Sequence, residues 1–380
     1  MIKRKAIAVN TRFLIKNKLE GIGLFTYESL KRITQAHPEI DFYFLFDRKF
    51  DDEFIFSKNV KPVVLFPPAR HPFLWFWWFE IAVASWLNKN KSDLFLSTDG
   101  YGCLRTDVPQ ILVVHDLAFE HFKEHVPFLT RKYYQYFMPR YTQKAKRIAT
   151  VSEFSKSDIV KQYHISPEKI DVVYNGAKEV YKPLSEVAKE RVKAKYSGSK
   201  PYFIFVGSIH PRKNVRNLLL GFEQFIAQTN SDFQLLIVGR KAWDFSEVEE
   251  VHSSMRFKNE VKFLGHVSPA ELGKIVASAF AAVYASLFEG FGIPIVEAMN
   301  CDVPVITSNV TSMPEVAGNA ALLVNPNSVN EISSAMKTIV EDSSLRNSLI
   351  QKGRIQIKKF SWDLTADELW KCCSQVLENA

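Results

Sequence analysis

Residues 284–300 read YASLFEGFGIPIVEAMN, and this stretch decides the fold. The apolar run from Phe280 to Ala285 has strand character and ends at a polar loop. Gly290 and Gly292 follow, and two glycines so close together do not belong in a helix. They mark a loop whose backbone N–H groups can approach a ligand closely. Pro294 then opens a helix, where its missing N–H and fixed φ cost little. Glu289 projects from the loop, and the spacing places Glu297 in the first turn of the helix. The helix N-terminus and the amides around Phe291, Gly292 and Ile293 offer donors and a partial positive charge. Two carboxylates can bind sugar hydroxyls and an amide nest can hold phosphate, so the segment suits a phosphorylated sugar. The plain alternative is a strand–turn–helix unit in which Glu297 only complements the helix dipole.

A second element lies at FVGSIHPRKN, residues 205–214. An apolar strand ends at Gly207, Ser208 continues into a loop, and a helix begins near Asn214. Arg212 and Lys213 therefore stand at a strand's C-terminal end, where open α/β sheets bind their ligands. Arginine forks onto phosphate oxygens and lysine supplies a mobile point charge. Read alone, the pair is equally an ordinary solvated couple of charges.

Short apolar strands alternate with helical patterns along the chain, which predicts stacked βαβ units and parallel sheets. Strands are expected near 5–9, 41–46, 61–65, 93–97, 110–114, 147–151 and 170–174. A second set falls near 202–206, 233–238, 260–263, 280–284, 303–306 and 321–324. A chain of 380 residues exceeds what one core usually supports, so two domains are expected, with a junction near 176–200. Cys103, Cys301, Cys372 and Cys373 form no C-x-x-C pair, which points to reduced thiols and a cytoplasmic protein. No secretory signal or membrane-spanning run is legible; the most apolar stretch, Phe73 to Leu87, is short and broken by Glu80.

Charge is uneven. Residues 1–180 hold 27 Lys+Arg against 20 Asp+Glu, and residues 181–380 hold 22 against 21. A basic half can meet nucleic acid, anionic lipid or a phosphorylated acceptor. No nucleic-acid-binding signature accompanies it, so no nucleic-acid partner is expected. The run FLWFWWF at 73–79 reads by default as core, the alternative being an interfacial helix at a bilayer. No G-x-G-x-x-G follows a strand, which argues against an NAD or FAD enzyme. No Asp-x-Asp is present to hold a metal–nucleotide complex, so no metal site is expected. A leaving diphosphate would then rely on cationic side chains and helix N-termini.

These segments form an ordered series: GIG at 21–23, VVHD at 113–116, VSEFSKSDI at 151–159, VYNGA at 173–177, VGSIHPRKN at 206–214, LGHVS at 264–268 and FEGFGIPIVEAM at 288–299. The series resembles family 4 (group 1) retaining glycosyltransferases of the GT-B fold, in a mannosyltransferase-like form. The resemblance implies an α/β protein of two facing Rossmann-like domains with parallel sheets. The first would span 1–180 with a crossover helix at 362–380, and the nucleotide-sugar donor domain 181–361. It implies that Glu289 contacts the donor sugar, Glu297 the ribose, Arg212 and Lys213 the diphosphate, and the Val267 backbone the base. The loop at Gly21 and Gly23 would cover the sugar diphosphate; its plain alternative is a flexible loop before a helix. His115 would sit near the transferred sugar in a positioning or transition-state role; its plain alternative is a structural hydrogen bond at a strand end. The donor expected first is GDP-mannose and second a UDP-hexose, without a metal. The acceptor would be a glycan or lipid-linked oligosaccharide. Work on such an acceptor would bring the protein against anionic lipid at the inner face of the cytoplasmic membrane. A GT-B sugar-nucleotide epimerase and a non-catalytic partner subunit are the alternatives.

Overall fold

The computed structural model describes residues 4–241 and 245–378. The first three positions of the basic start and the last two of the expected crossover helix lie outside the described residues. The chain divides into two compact units, one ending at Asn175 and resumed at Trp362, the other Gly176–Ser361.

The first unit is built on strands β1 (Ala6–Asn10), β2 (Asp41–Phe46), β3 (Val60–Val64), β4 (Leu94–Ser97), β5 (Gln110–Val114), β6 (Arg147–Thr150) and β7 (Ile170–Val172). They form one sheet in the order β3-β2-β1-β4-β5-β6-β7, with every pairing parallel. The second unit contains β8 (Tyr202–Val206), β9 (Gln234–Val238), β10 (Val261–Gly265), β11 (Ala281–Tyr284), β12 (Val305–Ser308) and β13 (Ala321–Val324). Their order is β10-β9-β8-β11-β12-β13, again all parallel. Helices cover both faces of such sheets, so central strands bury both sides and read as unbroken apolar runs. QILVV at 110–114 and QLLIV at 234–238 are buried at every position.

Strand order fixes where a ligand can enter. In each sheet the chain leaves the first strand toward one edge and later returns to its other side, so loops diverge at that point. In the second unit the divergence lies between β8 and β11, the strands that precede the 207–214 and 285–292 loops.

The helix Trp362–Glu378 returns to the first unit and packs on the helix Ile22–Ala36. Trp362 meets the Phe25 ring edge-on at 6.4 Å, Trp370 stacks on His37 at 3.6 Å, and Arg32 pairs with Asp363 at 2.5 Å. Thr365 donates to the Tyr174 carbonyl at 2.6 Å.

The aromatic run splits. Trp78 and Phe79 are fully buried, as core residues should be, while Phe73 is 64% exposed and Trp77 54%. A π-helical turn at Trp77–Val83 widens the helix there and divides the inward from the outward aromatics. No helix among the described residues is long and apolar enough to cross a membrane.

Candidate functional site

The loops after β8 and β11 are tied together. The Leu287 amide donates to the Arg212 carbonyl at 2.9 Å. Asn214, held in the left-handed region at φ 59°, donates through its side chain to the carbonyls of Ala285 (2.9 Å) and Pro326 (2.7 Å). Pro211–Lys213 forms a single 3₁₀ turn, with the His210 side chain accepting from the Arg212 amide. The loop is thereby fixed before the helix Val215–Thr229 begins, and Arg212 and Lys213 lean toward β11.

Glu289 receives them. Lys213 Nζ donates to Glu289 Oε1 at 2.6 Å and to the Tyr284 hydroxyl at 2.6 Å. The Tyr284 hydroxyl donates to the same Oε1 at 3.0 Å. Arg212 Nη1 donates to Glu289 Oε2 at 3.3 Å and to the Phe288 carbonyl at 2.8 Å. From the β12 side, the Ser312 hydroxyl reaches the carbonyls of Glu289 and Phe291, both at 2.9 Å. The Thr311 hydroxyl accepts from the Glu289 amide at 3.3 Å. Glu289 is 6% exposed. Burial pushes its carboxyl up, but the charges of Lys213 and Arg212 outweigh it and hold the group below its usual range. It is an ionised carboxylate inside a cationic clamp. Tyr284 is pushed well up by burial and by Glu289, so its hydroxyl keeps the proton it donates.

Gly290–Ile293 completes this end of the sheet. Gly292 caps the following helix at φ 103°, a backbone region open to glycine, and the helix runs Ile293–Asn300. Glu297 differs from the expectation: it is the fifth residue of that helix, so it stands in the second turn rather than the first. Its side chain faces inward at 7% exposure, where Ile204, Val206, Tyr284, Pro294 and Ala298 line the same pocket. Burial raises its carboxyl to about 7, opposed by the charge of Lys178 and a hydrogen bond with Tyr181. A carboxyl raised in the folded state binds its proton there more tightly than in the unfolded chain. The contribution of this group to stability is then largest at low pH and falls as pH rises from the usual carboxylate range through about 7. Glu297→Gln should flatten this decline and stabilise the protein at pH 8, by about 3 kcal/mol at most. Denaturant midpoints measured across pH for both proteins check this.

Other expected residues are placed as follows. Gly207 adopts φ 155°, and its neighbour Gly239 would bring a Cβ within 1.9 Å of the Gly207 carbonyl oxygen, so two backbones meet here. Ser208 follows in the same loop. Val267 lies after β10, at the same C-terminal end of the sheet but beyond β9 from the clamp. Gly21, Gly23 and His115 belong to the first unit. Gly21 has φ 48° with open space beside it, whereas a Cβ on Gly23 would come within 2.8 Å of the Phe13 carbonyl oxygen. Close packing thus accounts for Gly23. His115 Nε2 lies 2.9 Å from the Thr98 carbonyl, which can only accept, so this nitrogen carries the proton. Burial lowers its pKa and leaves a neutral ring whose Nδ1 is an acceptor.

The sequence reading missed a polar cluster at the switch point of the first sheet. Arg12 Nε pairs with Asp99 at 2.5 Å, and Asn10 donates to the other Asp99 oxygen at 2.8 Å. Arg12 is almost fully buried, 4.2 Å from the Tyr101 ring centroid. The signal was present: apolar strands β1 and β4 both end in polar residues, Asn10–Thr11–Arg12 and Ser97–Thr98–Asp99. Tyr284, Thr311 and Ser312 were also missed, because their partners come from separate strands.

Comparison with known proteins agrees with this geometry. Residues 186–356 match the family described as glycosyl transferases group 1, and residues 19–179 match glycosyltransferase family 4. The O-antigen chain mannosyltransferase B of Escherichia coli is 32% identical over 254 residues, 67% of each chain. The O-antigen chain mannosyltransferase RfbU of Salmonella typhimurium is 32% identical over 231 residues, 60% of each chain. The match thus leaves a third or more of either relative uncovered. Among solved structures, HepE of Anabaena in complex with UDP and glucose superposes with a TM-score of 0.75. It covers 98% of this chain and 100% of that one at 18% identity. Sucrose-phosphate synthase of Thermosynechococcus elongatus gives 0.79 at 17% identity, covering 99% and 100%. Likeness at such identity establishes the shared fold, and the sequence matches establish the rest: the chain belongs to the family 4, group 1, retaining glycosyltransferases of the GT-B fold.

Proposed function

We propose that this glycosyltransferase moves a mannosyl residue from GDP-mannose, or failing that a hexosyl residue from a UDP-sugar, to a glycan or lipid-linked oligosaccharide of a surface polysaccharide. The observation that carries the reading is the clamp of Arg212 and Lys213 on Glu289 at the switch point of the second sheet. The O-antigen mannosyltransferases related to the chain favour the sugar and the acceptor class.

In the transfer, the bond from the anomeric carbon to the diphosphate oxygen breaks and a bond to an acceptor hydroxyl oxygen forms. The hydroxyl proton passes to the departing diphosphate on the same face. Negative charge grows on the leaving group, and Arg212 and Lys213 stabilise it. Both oxygens of Glu289 are already engaged, by Lys213 and Tyr284 on one and by Arg212 on the other. A carboxylate so held suits accepting hydrogen bonds from sugar hydroxyls better than attacking carbon. Glu297 would take the ribose hydroxyls, and the amides of Gly290–Ile293 and Gly207–Ser208 would frame the diphosphate. The Val267 backbone would meet the base.

A thermal-shift series with GDP, UDP and ADP tests the donor. GDP should raise the melting temperature most and ADP least; a response to ADP alone overturns both donor assignments.

A further inference from the structure

Glu289 and Glu297 are both buried, but they are satisfied differently. Glu289 is met by Lys213, Tyr284 and Arg212, which occupy both of its oxygens. Among the described residues, one hydrogen-bonding group is directed at the Glu297 carboxyl, the hydroxyl of Tyr181. An ionised carboxylate has about four acceptor positions, so most of them are left for a ligand.

Tyr181 is held by the segment that opens the second unit. Its amide donates to the Lys178 carbonyl at 3.1 Å and closes a turn. The Val180 carbonyl presses on the helix Pro269–Ala277, where a Cβ on Gly273 would come within 2.5 Å of it. The Lys182 backbone is hydrogen-bonded to the Cys301 thiol, at the end of the helix Ile293–Asn300 that carries Glu297. The turn is thereby anchored on two helices, with the Tyr181 ring buried. Burial and then the charge of Glu297 push the Tyr181 hydroxyl up, so it keeps its proton and donates. Phenylalanine would serve the packing equally well; a buried tyrosine hydroxyl is placed for its partner.

We propose that Tyr181 is a positioning residue for the donor ribose, its hydroxyl and the nearby charge of Lys178 holding Glu297 as a carboxylate turned to receive the ribose hydroxyls. The proposal deepens the donor reading above and rests on it, since Glu297 meets a ribose only if the ligand is a nucleotide. Hydrogen bonds to a charged acceptor exceed those to a neutral one by about tenfold in affinity. Burial raises Glu297 to about 7, against Lys178 and Tyr181. The Cys301 thiol is pushed up to about 12, and Tyr284, in the same pocket, is pushed well up, both chiefly by burial. Of these groups it is therefore Glu297 that changes charge near neutral pH.

The test is calorimetric titration with GDP and with dideoxy-GDP, which lacks both ribose hydroxyls, from about pH 5.5 to about pH 9. The uridine pair replaces them if UDP gives the larger thermal shift. The ratio of the two affinities cancels the titration of the terminal phosphate, which both ligands share. In wild type this ratio should rise about tenfold as pH passes through about 7. Tyr181→Phe should match wild type at the acid end, where the carboxyl is protonated in both, which shows the variant folded. Its rise should be displaced to higher pH by about one pH unit, because a carboxylate deprived of a donor holds its proton more tightly. Lys178→Met should displace it in the same direction, and Glu297→Gln should leave the ratio flat. A Tyr181→Phe profile superimposed on that of wild type, or lowered by one factor at every pH, overturns the proposal and leaves the ribose contact standing. A wild type that binds GDP and dideoxy-GDP equally at every pH overturns the ribose contact of Glu297 and the proposal with it. A wild type that binds no nucleotide overturns the donor reading itself.

Discussion

Glu289→Gln is expected to lower the turnover of sugar transfer by about 100- to 1,000-fold while KM for the donor changes little. The substitution keeps the shape and removes the charge that both Lys213 and Arg212 address. Positioning of the sugar in the transition state should suffer most, because the amide cannot accept from its hydroxyls with both atoms. A cost in stability accompanies this. Lys213 and Arg212 are largely buried, and breaking a buried ion pair by removing one partner costs about 3–5 kcal/mol. Their residual exposure lets water reach the cations, so the loss should sit at the low end of that range. Steady-state kinetics with a melting curve on the same preparation check both parts, and near-normal turnover in Glu289→Gln would refute its assignment.

Arg212→Met together with Lys213→Met should be more damaging still, abolishing measurable transfer and weakening donor binding by about 100-fold or more. On the proposed role of the pair, two charge-assisted contacts to the donor phosphates are lost at once. The same change strips Glu289 of the charges that hold it ionised while its burial remains. Its carboxyl would shift upward and take a proton nearer neutral pH. Activity of the double variant should therefore not be rescued by raising the donor concentration, which restores occupancy but not the state of Glu289. Kinetics at saturating donor separate the two losses.

The strand plan was readable because parallel strands buried on both faces write themselves as apolar runs, as at 110–114 and 234–238. Arg212, Lys213 and Glu289 were readable for a related reason. Each stands just past such a run, and the ends of parallel strands share one edge. What escaped the sequence were the contacts made across strands. Tyr284 looks like one more residue of an apolar strand until its hydroxyl is found between Lys213 and Glu289. Arg12 and Asp99 are 87 positions apart, and only the adjacency of β1 and β4 joins them. Glu297 was placed one helical position too early because the helix begins at Ile293, with Gly292 as its cap, rather than at Pro294. The aromatic run at 73–79 could be assigned neither wholly to core nor wholly to surface, since a π-helical turn inside it changes which positions share a face.

The most direct measurement is a titration of wild type and the Arg212→Met, Lys213→Met double variant with guanosine, GMP and GDP, or the uridine series if UDP gives the larger thermal shift. Wild type should gain most of its affinity with the second phosphate, and this gain should vanish in the variant while nucleoside binding persists. Equal affinity of wild type for the mono- and diphosphate, or an undiminished diphosphate gain in the variant, would contradict this role of the pair.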